Sequence, residues 1–450
     1  MSNQIVDATR KAGVVGAGGG GFPTHVKISS SVEIAVANGA ECEPLLKVDQ
    51  HIMAAKAGAV VEGLSLVMQA TGARKGIVAL KAEYKKAVEA IRAAASRYPN
   101  VSVHLIGSYY PAGDEFVLVY ETTGRLVPEG GLPLHVGVVV QNVCTLLNIA
   151  EAMQGQAVTH RYVTVTGEVY SPKTLRLPVG TSLAQAIRLA GGIKVAQGRT
   201  GSDYAVVLGG PMMGRLASDL DMPVTKTLGG IIVLPKDNAV IRRMSEPLRT
   251  SLRRGKSTCD QCRDCTDLCP RSLLGHRLFP HEIMRSLNYA SSEPTDNITS
   301  AVLCCECRLC EAYACPLELS PMAYYKAVKR NLEALDWINT RHRRSDLKVH
   351  DMFDGRRVPT NRLMDKLGLT RYRDLPVPLD ESPVHPGRVA IPLKQHTGVA
   401  AQPTVKQGDK VRLGDLIGQV PEGKLGANVH ASIRGTVREV VEGRQVVIEE

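Results

Sequence analysis

The stretch CDQCRDCTDLCP, from Cys259 to Pro270, decides how the chain is interpreted. Its cysteines follow the spacing C-x2-C-x2-C-x3-C and end beside a proline. A second run, CCECRLCEAYACP from Cys304 to Pro316, has the same arrangement but one more residue before its last cysteine. Three thiolates at three-residue intervals let one loop follow a face of an iron–sulfur cube, and a fourth beside a proline turns to another cluster. The runs therefore predict two [4Fe-4S] clusters with crossed ligands.

The crossed arrangement assigns four cysteines to each cluster. One set is Cys259, Cys262, Cys265 and Cys315, and the other is Cys304, Cys307, Cys310 and Cys269. Cys305 offers an alternative register to Cys304, and the spacing leaves that choice open. Two structural zinc sites are the other interpretation, but such sites usually pair two CxxC motifs across a longer spacer.

The composition is that of a folded protein rather than a disordered or collagen-like one. Of 450 residues, 44% are hydrophobic and 22% are charged, while aromatic residues are scarce at 4 Phe, 13 Tyr and 1 Trp. At about 100 to 200 residues per domain, this length predicts several domains. The net charge of +11 would be partly offset by anionic clusters. Because aromatic residues are few and no recognition motif accompanies the basic segments, no nucleic-acid partner is expected.

The termini and apolar runs give expectations about location. The first eleven residues lack the apolar core of a secretion signal, so a cytoplasmic protein is expected. Apolar stretches such as Val136 to Val140 are far shorter than the roughly 20 residues of a transmembrane helix, so no transmembrane segment is expected. Eleven cysteines in such a chain favour metal ligation over a disulfide framework.

Periodicity predicts a multidomain chain of α/β and α+β parts. Strands are expected at Ile34 to Ala37 and Gly76 to Leu80, with helices at Ala54 to Ala70 and Tyr84 to Ser96. The expected domains are an α/β domain at 1–155, a small α+β module at 160–238, a two-cluster ferredoxin-type helical domain at 240–335, a linker at 336–385 and an all-β module at 386–450.

Four segments of the first domain carry a family resemblance. They are GAGGGGFPTHVK from Gly16, NGAECEPLL from Asn38, YPAGDE from Tyr110 and QNVCTL from Gln141. Glycines in such number bring backbone amides close to phosphates or a flat ring, although the glycines alone would also suit a flexible tail. Together the four segments resemble the flavin-binding fold shared by the FMN and NADH subunit of respiratory complex I and the C subunit of Rnf complexes.

The resemblance implies an FMN and NADH site. The FMN phosphate would lie on the glycine loop and Lys27, and NADH would stack near Phe22 with Glu43 close by. The implied cofactor-binding residues are Gly16, Gly18, Gly19, Gly21, Phe22, Lys27, Asn38, Glu41, Glu43, Gly113, Asp114, Glu115, Asn142 and Thr145. No catalytic residue is assigned beyond the cofactors. Ala17, Ala40 and Cys42 depart from the complex I pattern, which affects the nicotinamide side more than the flavin side.

The remaining modules resemble known ones and appear in a permuted order. Residues 162–237 resemble the soluble-ligand-binding β-grasp (SLBB) module, and the segment from Ile391 resembles the barrel-sandwich hybrid of the Rnf C subunit, related to lipoyl domains. No lysine lies between His430 and Ile433, so an unmodified module is expected. In the Rnf C subunit this module comes first, whereas here it comes last. That order resembles the cobalamin reductases of propanediol-utilization microcompartments.

The family implies electron transfer from NADH through FMN and two [4Fe-4S] clusters to cobalamin, with a cobalamin adenosyltransferase and microcompartment shell or lumen proteins as partners. A flavin accepts a hydride and releases electrons singly, which suits one-electron clusters and cobalt. The sequence shows no DxHxxG cobalamin motif. Two alternatives remain: an Rnf-type NADH:ferredoxin electron-input subunit docked on a membrane complex, and a non-enzymatic electron-transfer adaptor or microcompartment scaffold with a degenerate flavin site.

Overall fold

A computed structural model describes residues 2–286 and 295–450. Met1 and residues 287–294, which fall within the expected first and third domains, lie outside the described residues. In the described part of the chain, no single helix has the length and apolar composition to span a bilayer. Helices at 48–55 and 57–71 meet those criteria only when taken together across a 96° bend.

The first domain is a parallel four-stranded sheet with helices on both faces, in the order β3-β2-β1-β5. Three of its strands, Ile34–Gly39, Lys75–Lys81 and Val138–Asn142, are mostly buried and rich in Val, Ile and Ala, as expected where helices cover both faces. The elements are α1 (Ser2–Lys11), α2 (Thr24–Lys27), β1 (Ile34–Gly39), α3 (Val48–Ala55), α4 (Ala57–Thr71), β2 (Lys75–Lys81), α5 (Lys85–Ala95), β3 (Val101–Ile106), β4 (Tyr109–Tyr110), α6 (Glu115–Thr123), β5 (Val138–Asn142) and α7 (Val143–Met153).

The helix expected at Ala54 to Ala70 is two helices. Lys56 separates α3 from α4 with non-helical dihedral angles of −126° and 27°, and the chain bends there by 96°. The apolar period continues through Lys56, so periodicity gave no sign of the break.

The second module is a mixed sheet in the order β7-β6-β10-β8-β9, and the strand Leu379–Asp380 (β12) pairs with β7 at its edge. Its core lies between the sheet and one short helix whose Leu183 and Ile187 are buried. The elements are β6 (His160–Gly167), β7 (Lys173–Pro178), α8 (Leu183–Leu189), β8 (Tyr204–Leu208), β9 (Arg215–Leu216) and β10 (Gly230–Pro235).

The cysteine-rich region is a set of short helices. Pro270 and Pro321 occupy first helical turns, where a missing N–H does no harm. The helices are α9 (Ala239–Ser245), α10 (Leu248–Thr258), α11 (Asp264–Asp267), α12 (Pro270–Leu273), α13 (Pro280–Ser286), α14 (Asp296–Thr299) and α15 (Pro321–Ala334), and a π-turn spans Cys310–Ala314.

Residues 336–385 are a packed segment rather than the linker expected from the sequence. The segment contains β11 (Val358–Pro359), α16 (Thr360–Lys366), α17 (Thr370–Arg373) and β12 (Leu379–Asp380). Leu363, Met364 and Leu367 are buried in the same core as Tyr110 and Cys307. Within this segment, β11 pairs with β4 and β12 pairs with β7. Helices this short show too few turns for a periodic signal, which explains the wrong expectation.

The last module is an all-β structure of two small sheets, in the orders β13-β19-β18-β15 and β14-β16-β17. Its strands are β13 (Arg388–Pro392), β14 (Gln402–Pro403), β15 (Lys410–Val411), β16 (Leu416–Gln419), β17 (Val429–His430), β18 (Gly435–Val441) and β19 (Gln445–Glu449). The module packs on the rest of the chain, since the Ala390 N–H donates to the Gly180 carbonyl at 3.0 Å and the Thr397 N–H to the Gly21 carbonyl at 3.0 Å.

Candidate functional site

The sheet of the first domain has its switch point between β1 and β5. These strands are adjacent and parallel, and Asn38 is paired in register with Asn142 at their carboxyl ends. In open α/β sheets, ligands bind outside the carboxyl ends of the strands at such a point. Asn38 joins two loops there, because its Nδ2 donates to the Gly113 carbonyl at 2.9 Å and its Oδ1 accepts from the Ala40 N–H at 3.2 Å.

The glycine loop is held at its ends and open in its middle. The Gly21 N–H donates to the Gly16 carbonyl at 3.1 Å, and the Ala17 N–H donates to Thr145 Oγ1 at 2.9 Å. The backbone N–H groups of residues 18–20 are exposed and donate no hydrogen bond within the described chain. A side chain on Gly19 or Gly20 would meet no atom within 4 Å. Unpaired amides around an open cradle fit a phosphate.

Three groups beside this loop gave no signal in the sequence. Arg161 is buried and donates to the Ala17 carbonyl at 2.7 Å. Asp49 is buried and accepts from Asn142 Nδ2 at 2.8 Å. Lys81 is buried and donates to the Glu41 carbonyl at 3.3 Å. All three lie far in sequence from the residues they hold, so no local motif could identify them.

Glu41 is a carboxyl group placed in an unusual environment after β1. Its backbone is left-handed, with φ of 34°, and Gln50 N–H approaches its Oε2 at 3.4 Å. Burial and, to a smaller extent, the nearby carboxylate of Asp49 together raise the pKa of Glu41 to about 8. At neutral pH the Glu41 carboxyl group is therefore mainly protonated and can donate a hydrogen bond to a ligand.

Glu43 joins the first domain to the β-grasp module. Its carboxylate accepts from the backbone N–H of Met212 at 2.9 Å and of Met213 at 2.7 Å. Burial raises its pKa to about 7, although these two hydrogen bonds act to lower it. Glu43 was expected near the nicotinamide, and in the structure its oxygens hold a turn of the neighbouring module.

Two ion pairs occupy residues expected at the flavin. Lys27 Nζ lies 2.7 Å from Glu115. Asp114 accepts from the first backbone N–H groups of α6 and forms a buried double hydrogen bond with Arg271, at 2.5 and 3.0 Å. The Arg271 guanidinium also lies over the Phe116 ring at 4.0 Å. Because Arg271 follows Cys269 by two residues, this pair attaches the flavin-type domain to the cysteine-rich region.

One predicted set of cysteines lines a common cavity. The side chains that line it include Cys259, Cys262, Cys265 and Cys315, although Cys315 lies 50 residues beyond Cys265. Within the described residues, no three His, Cys, Asp or Glu side chains converge closely enough to hold one metal ion. Thiols spread around a cavity fit a cluster better than a single zinc ion.

The other set lies deeper. Cys269, Cys307 and Cys310 are buried, and Cys304 is partly buried. Burial raises the pKa of Cys269 to about 12, so this thiol stays protonated unless a cation such as cluster iron is present. The Tyr110 hydroxyl donates to the Cys307 carbonyl at 2.8 Å. The deep set therefore lies against the Tyr110 loop of the first domain, whereas Cys262 of the other set is exposed.

The backbone of the two cysteine runs follows one pattern. Gln261 and Arg263 have φ of 61° and 73°, and Glu306 and Arg308 have φ of 57° and 62°. In each run, left-handed residues thus flank the second cysteine. In this alignment Cys304 corresponds to Cys259, and Cys305 corresponds to Asp260.

Comparison with protein families matches all four parts of the chain. Residues 9–151 match the Nuo51 FMN-binding domain, 162–216 the SLBB domain, 258–320 a 4Fe-4S dicluster domain and 378–449 the RnfC barrel sandwich hybrid domain. These matches confirm the predicted fold class. They also confirm FMN and iron–sulfur clusters as the cofactors.

Curated relatives match the chain from end to end. Cobalamin reductase PduS of Citrobacter freundii is 45% identical, covering 99% of this chain and 96% of the relative. The PduS protein of Salmonella typhimurium is 43% identical, covering 99% and 97%. The C subunit of the Na⁺-translocating ferredoxin:NAD⁺ oxidoreductase complex of Acetobacterium woodii is 37% identical, covering 60% of this chain and 59% of the relative. The chain therefore belongs to the PduS cobalamin reductase family.

Proposed function

We propose that this protein is an NADH-dependent cobalamin reductase that uses FMN and two [4Fe-4S] clusters. The observation that carries the proposal is a continuous packed connection between its cofactor sites. The open glycine loop lies at the switch point of the sheet. The loop from Tyr110 to Asp114, which also borders that point, holds the deep cysteine set through Cys307 and Arg271.

The outer cysteine set, which consists of Cys259, Cys262, Cys265 and Cys315, completes the connection between the cofactor sites and the surface. Cys265 and Cys310 belong to one buried cluster of side chains, so the two sets are neighbours. The outer set reaches the surface at Cys262. This order suits entry of electrons on the flavin side and exit to an external acceptor, and cobalamin is the acceptor in the names of the full-length relatives.

FMN, when bound, converts hydride transfer from NADH into single-electron transfer. The amides of residues 18–20 fit its phosphate, and Lys27 would neutralise that phosphate after exchanging its partner Glu115. The remaining flavin contacts proposed from the resemblance are Gly16, Gly21, Phe22, Asn38, Glu41, Gly113, Asn142 and Thr145. Asp114 and Glu43 would act beside them by holding the neighbouring modules, through Arg271 and the turn at Met212.

The cluster ligands proposed are the eight cysteines in their crossed sets, with Cys304 rather than Cys305 in the deep set. The shared left-handed pattern of the two runs supports this register. A cobalamin adenosyltransferase and microcompartment proteins are proposed as partners, and a bacterial microcompartment as the location. These two proposals come from the family resemblance.

The test uses protein purified without oxygen and loaded with FMN, iron and sulfide. NADH and hydroxocobalamin are added, and the flavin, cluster and cobalamin spectra are followed together. We expect NADH-dependent formation of cob(II)alamin that disappears without FMN and in a Cys262→Ser variant. If flavin and clusters are reduced while cobalamin stays oxidised, cobalamin is the wrong acceptor. The similarity to the C subunit from Acetobacterium woodii would then direct the search to ferredoxin.

A further inference from the structure

A large groove lies beside the outer cysteine set, between the β-grasp module and the helical domain. It has a volume of about 670 Å³, within the roughly 300–1,000 Å³ of small-molecule pockets. β8, β9, α9, α10 and the chain after Cys315 form its walls. A groove of this size has room for a large small-molecule ligand.

The groove adjoins the outer cysteine set through one short stretch of chain. Leu317 and Leu319 line the cavity of that set, while Glu318 between them lines the groove. Arg254, on the groove side, donates to the Leu317 carbonyl at 3.3 Å. A molecule in the groove would thus be separated from the outer cysteine set by the thickness of one chain segment.

The walls of the groove differ in chemistry. Ala205, Ala217 and Ala239 give the groove small apolar lining residues, called here the alanine floor, and Leu216 and Ile241 add larger apolar ones. Such a floor suits the face of a broad, flat ring. The rest of the lining is mainly polar, with four basic residues and two acidic ones, Glu246 and Glu318. A ligand that combines a large ring with an anionic group would suit both parts.

Three of the basic residues that line the groove have no direct partner in the described chain. Lys236, Arg242 and Arg243 form no ion pair or side-chain hydrogen bond with the described residues, whereas Arg254 is paired with Glu246 at 2.8 Å. Arg243 is only partly exposed. Burial lowers its pKa, although the nearby carboxylates of Glu311 and Glu318 act to raise it. Glu311 and Glu318 attract Arg243 but form no ion pair with it, so its guanidinium can still take a charged partner. An anionic ligand group would be such a partner.

We propose that this groove is the binding site of the electron acceptor, a corrinoid that carries a phosphodiester. The corrin ring would lie on the alanine floor, and the phosphodiester of the nucleotide loop would pair with Arg242 and Arg243. This inference rests on the proposed function, because the relatives' names supply the acceptor class. It adds a location that is independent of the flavin site.

The test compares two corrinoids in binding to the full-length protein loaded with FMN and clusters. Cyanocobalamin carries the nucleotide phosphodiester, and dicyanocobinamide lacks it. Equilibrium dialysis without NADH measures affinity apart from turnover. We expect Arg242→Gln/Arg243→Gln to bind cyanocobalamin about tenfold more weakly, since charge-assisted hydrogen bonds are lost. Affinity for dicyanocobinamide should be unchanged. Ala239→Phe, which fills the floor, should weaken binding of both.

Arg249→Gln is the matched control, because Arg249 is exposed on α10 outside the groove. Equal affinity of the double variant and wild type for cyanocobalamin would overturn the proposal. An equal loss for both corrinoids in the double variant would do the same, because it would indicate a general disturbance. Wild-type protein that reduces cobalamin while the groove variants bind it normally would refute the groove alone. Wild-type protein that never reduces cobalamin would refute the proposed function.

Discussion

At the scale of single residues, Arg271 connects the cysteine-rich region to the first domain. Its guanidinium forms a buried double hydrogen bond with Asp114 and stacks on Phe116. A buried ion pair gives little net stability when intact, but removal of one partner leaves an unpaired charge and typically costs about 3–5 kcal/mol. The pair is thus important for holding the domains together.

We predict that Arg271→Met lowers the thermal unfolding temperature and loosens the contact between domains, because Asp114 is left charged and buried. Asp114→Asn on the same background should recover much of the loss, since asparagine keeps the helix cap. Differential scanning calorimetry of the single and double variants makes the comparison. A double variant as unstable as Arg271→Met would contradict the ion-pair explanation.

Two adjacent cysteines make the second residue-scale prediction. Cys304→Ala should lose iron from the deep set, whereas Cys305→Ala should retain it, because only Cys304 matches the position of Cys259. Iron and sulfide analysis of both purified variants measures this. Loss of iron in Cys305→Ala with retention in Cys304→Ala would reverse the assigned register.

At the scale of elements, the sequence carries a strong signal within each cysteine run. The spacing of the runs predicted the set Cys259, Cys262, Cys265 and Cys315, and these four side chains line one cavity in the structure. Their ligation of a cluster stays a prediction. The pairing of Arg271 with Asp114, 157 residues apart, has no comparable signal in the sequence. The helices of the 336–385 segment were missed because each is too short to show a period.

The glycine loop provides the element-scale prediction. Gly19 has φ of 109°, a conformation that a side chain disfavours, whereas Gly20 does not have a positive φ, and both face open space. Gly19→Ala should therefore raise the FMN dissociation constant by about tenfold through backbone strain. Gly20→Ala should raise it less. Flavin fluorescence titration of apoprotein compares them, and equal effects would show that strain is not the cause.

At the scale of the whole molecule, Lys226 joins three modules. It lies in the β-grasp module, and its Nζ is 2.7 Å from the Gly13 carbonyl and 2.8 Å from the Asn428 carbonyl of the last module. Burial lowers its pKa to about 7. The neighbouring His430 and His396 have pKa values lowered by burial to about 3 and 4, so they remain neutral at higher pH.

This arrangement predicts the pH dependence of stability. Between pH 7 and about 10.5, the unfolded lysine holds a proton that the folded one has released, so stability rises with pH through this interval. Below pH 7 both states are protonated and Lys226 adds no slope. Lys226→Met should remove the rise. Urea unfolding at several pH values measures it, and an unchanged slope in the variant would contradict the assignment.

Because the two cysteine sets differ in burial, their clusters should differ in sensitivity to oxygen. Oxygen and peroxide reach metal–sulfur centres through solvent, so the set containing exposed Cys262 should be attacked first, while the set beneath Tyr110 and the 336–385 segment is shielded. Protein handled aerobically should therefore lose about half of its iron rapidly and the rest slowly, as two phases in a time course of iron release. Oxidative damage would then begin at the end of the molecule that delivers electrons.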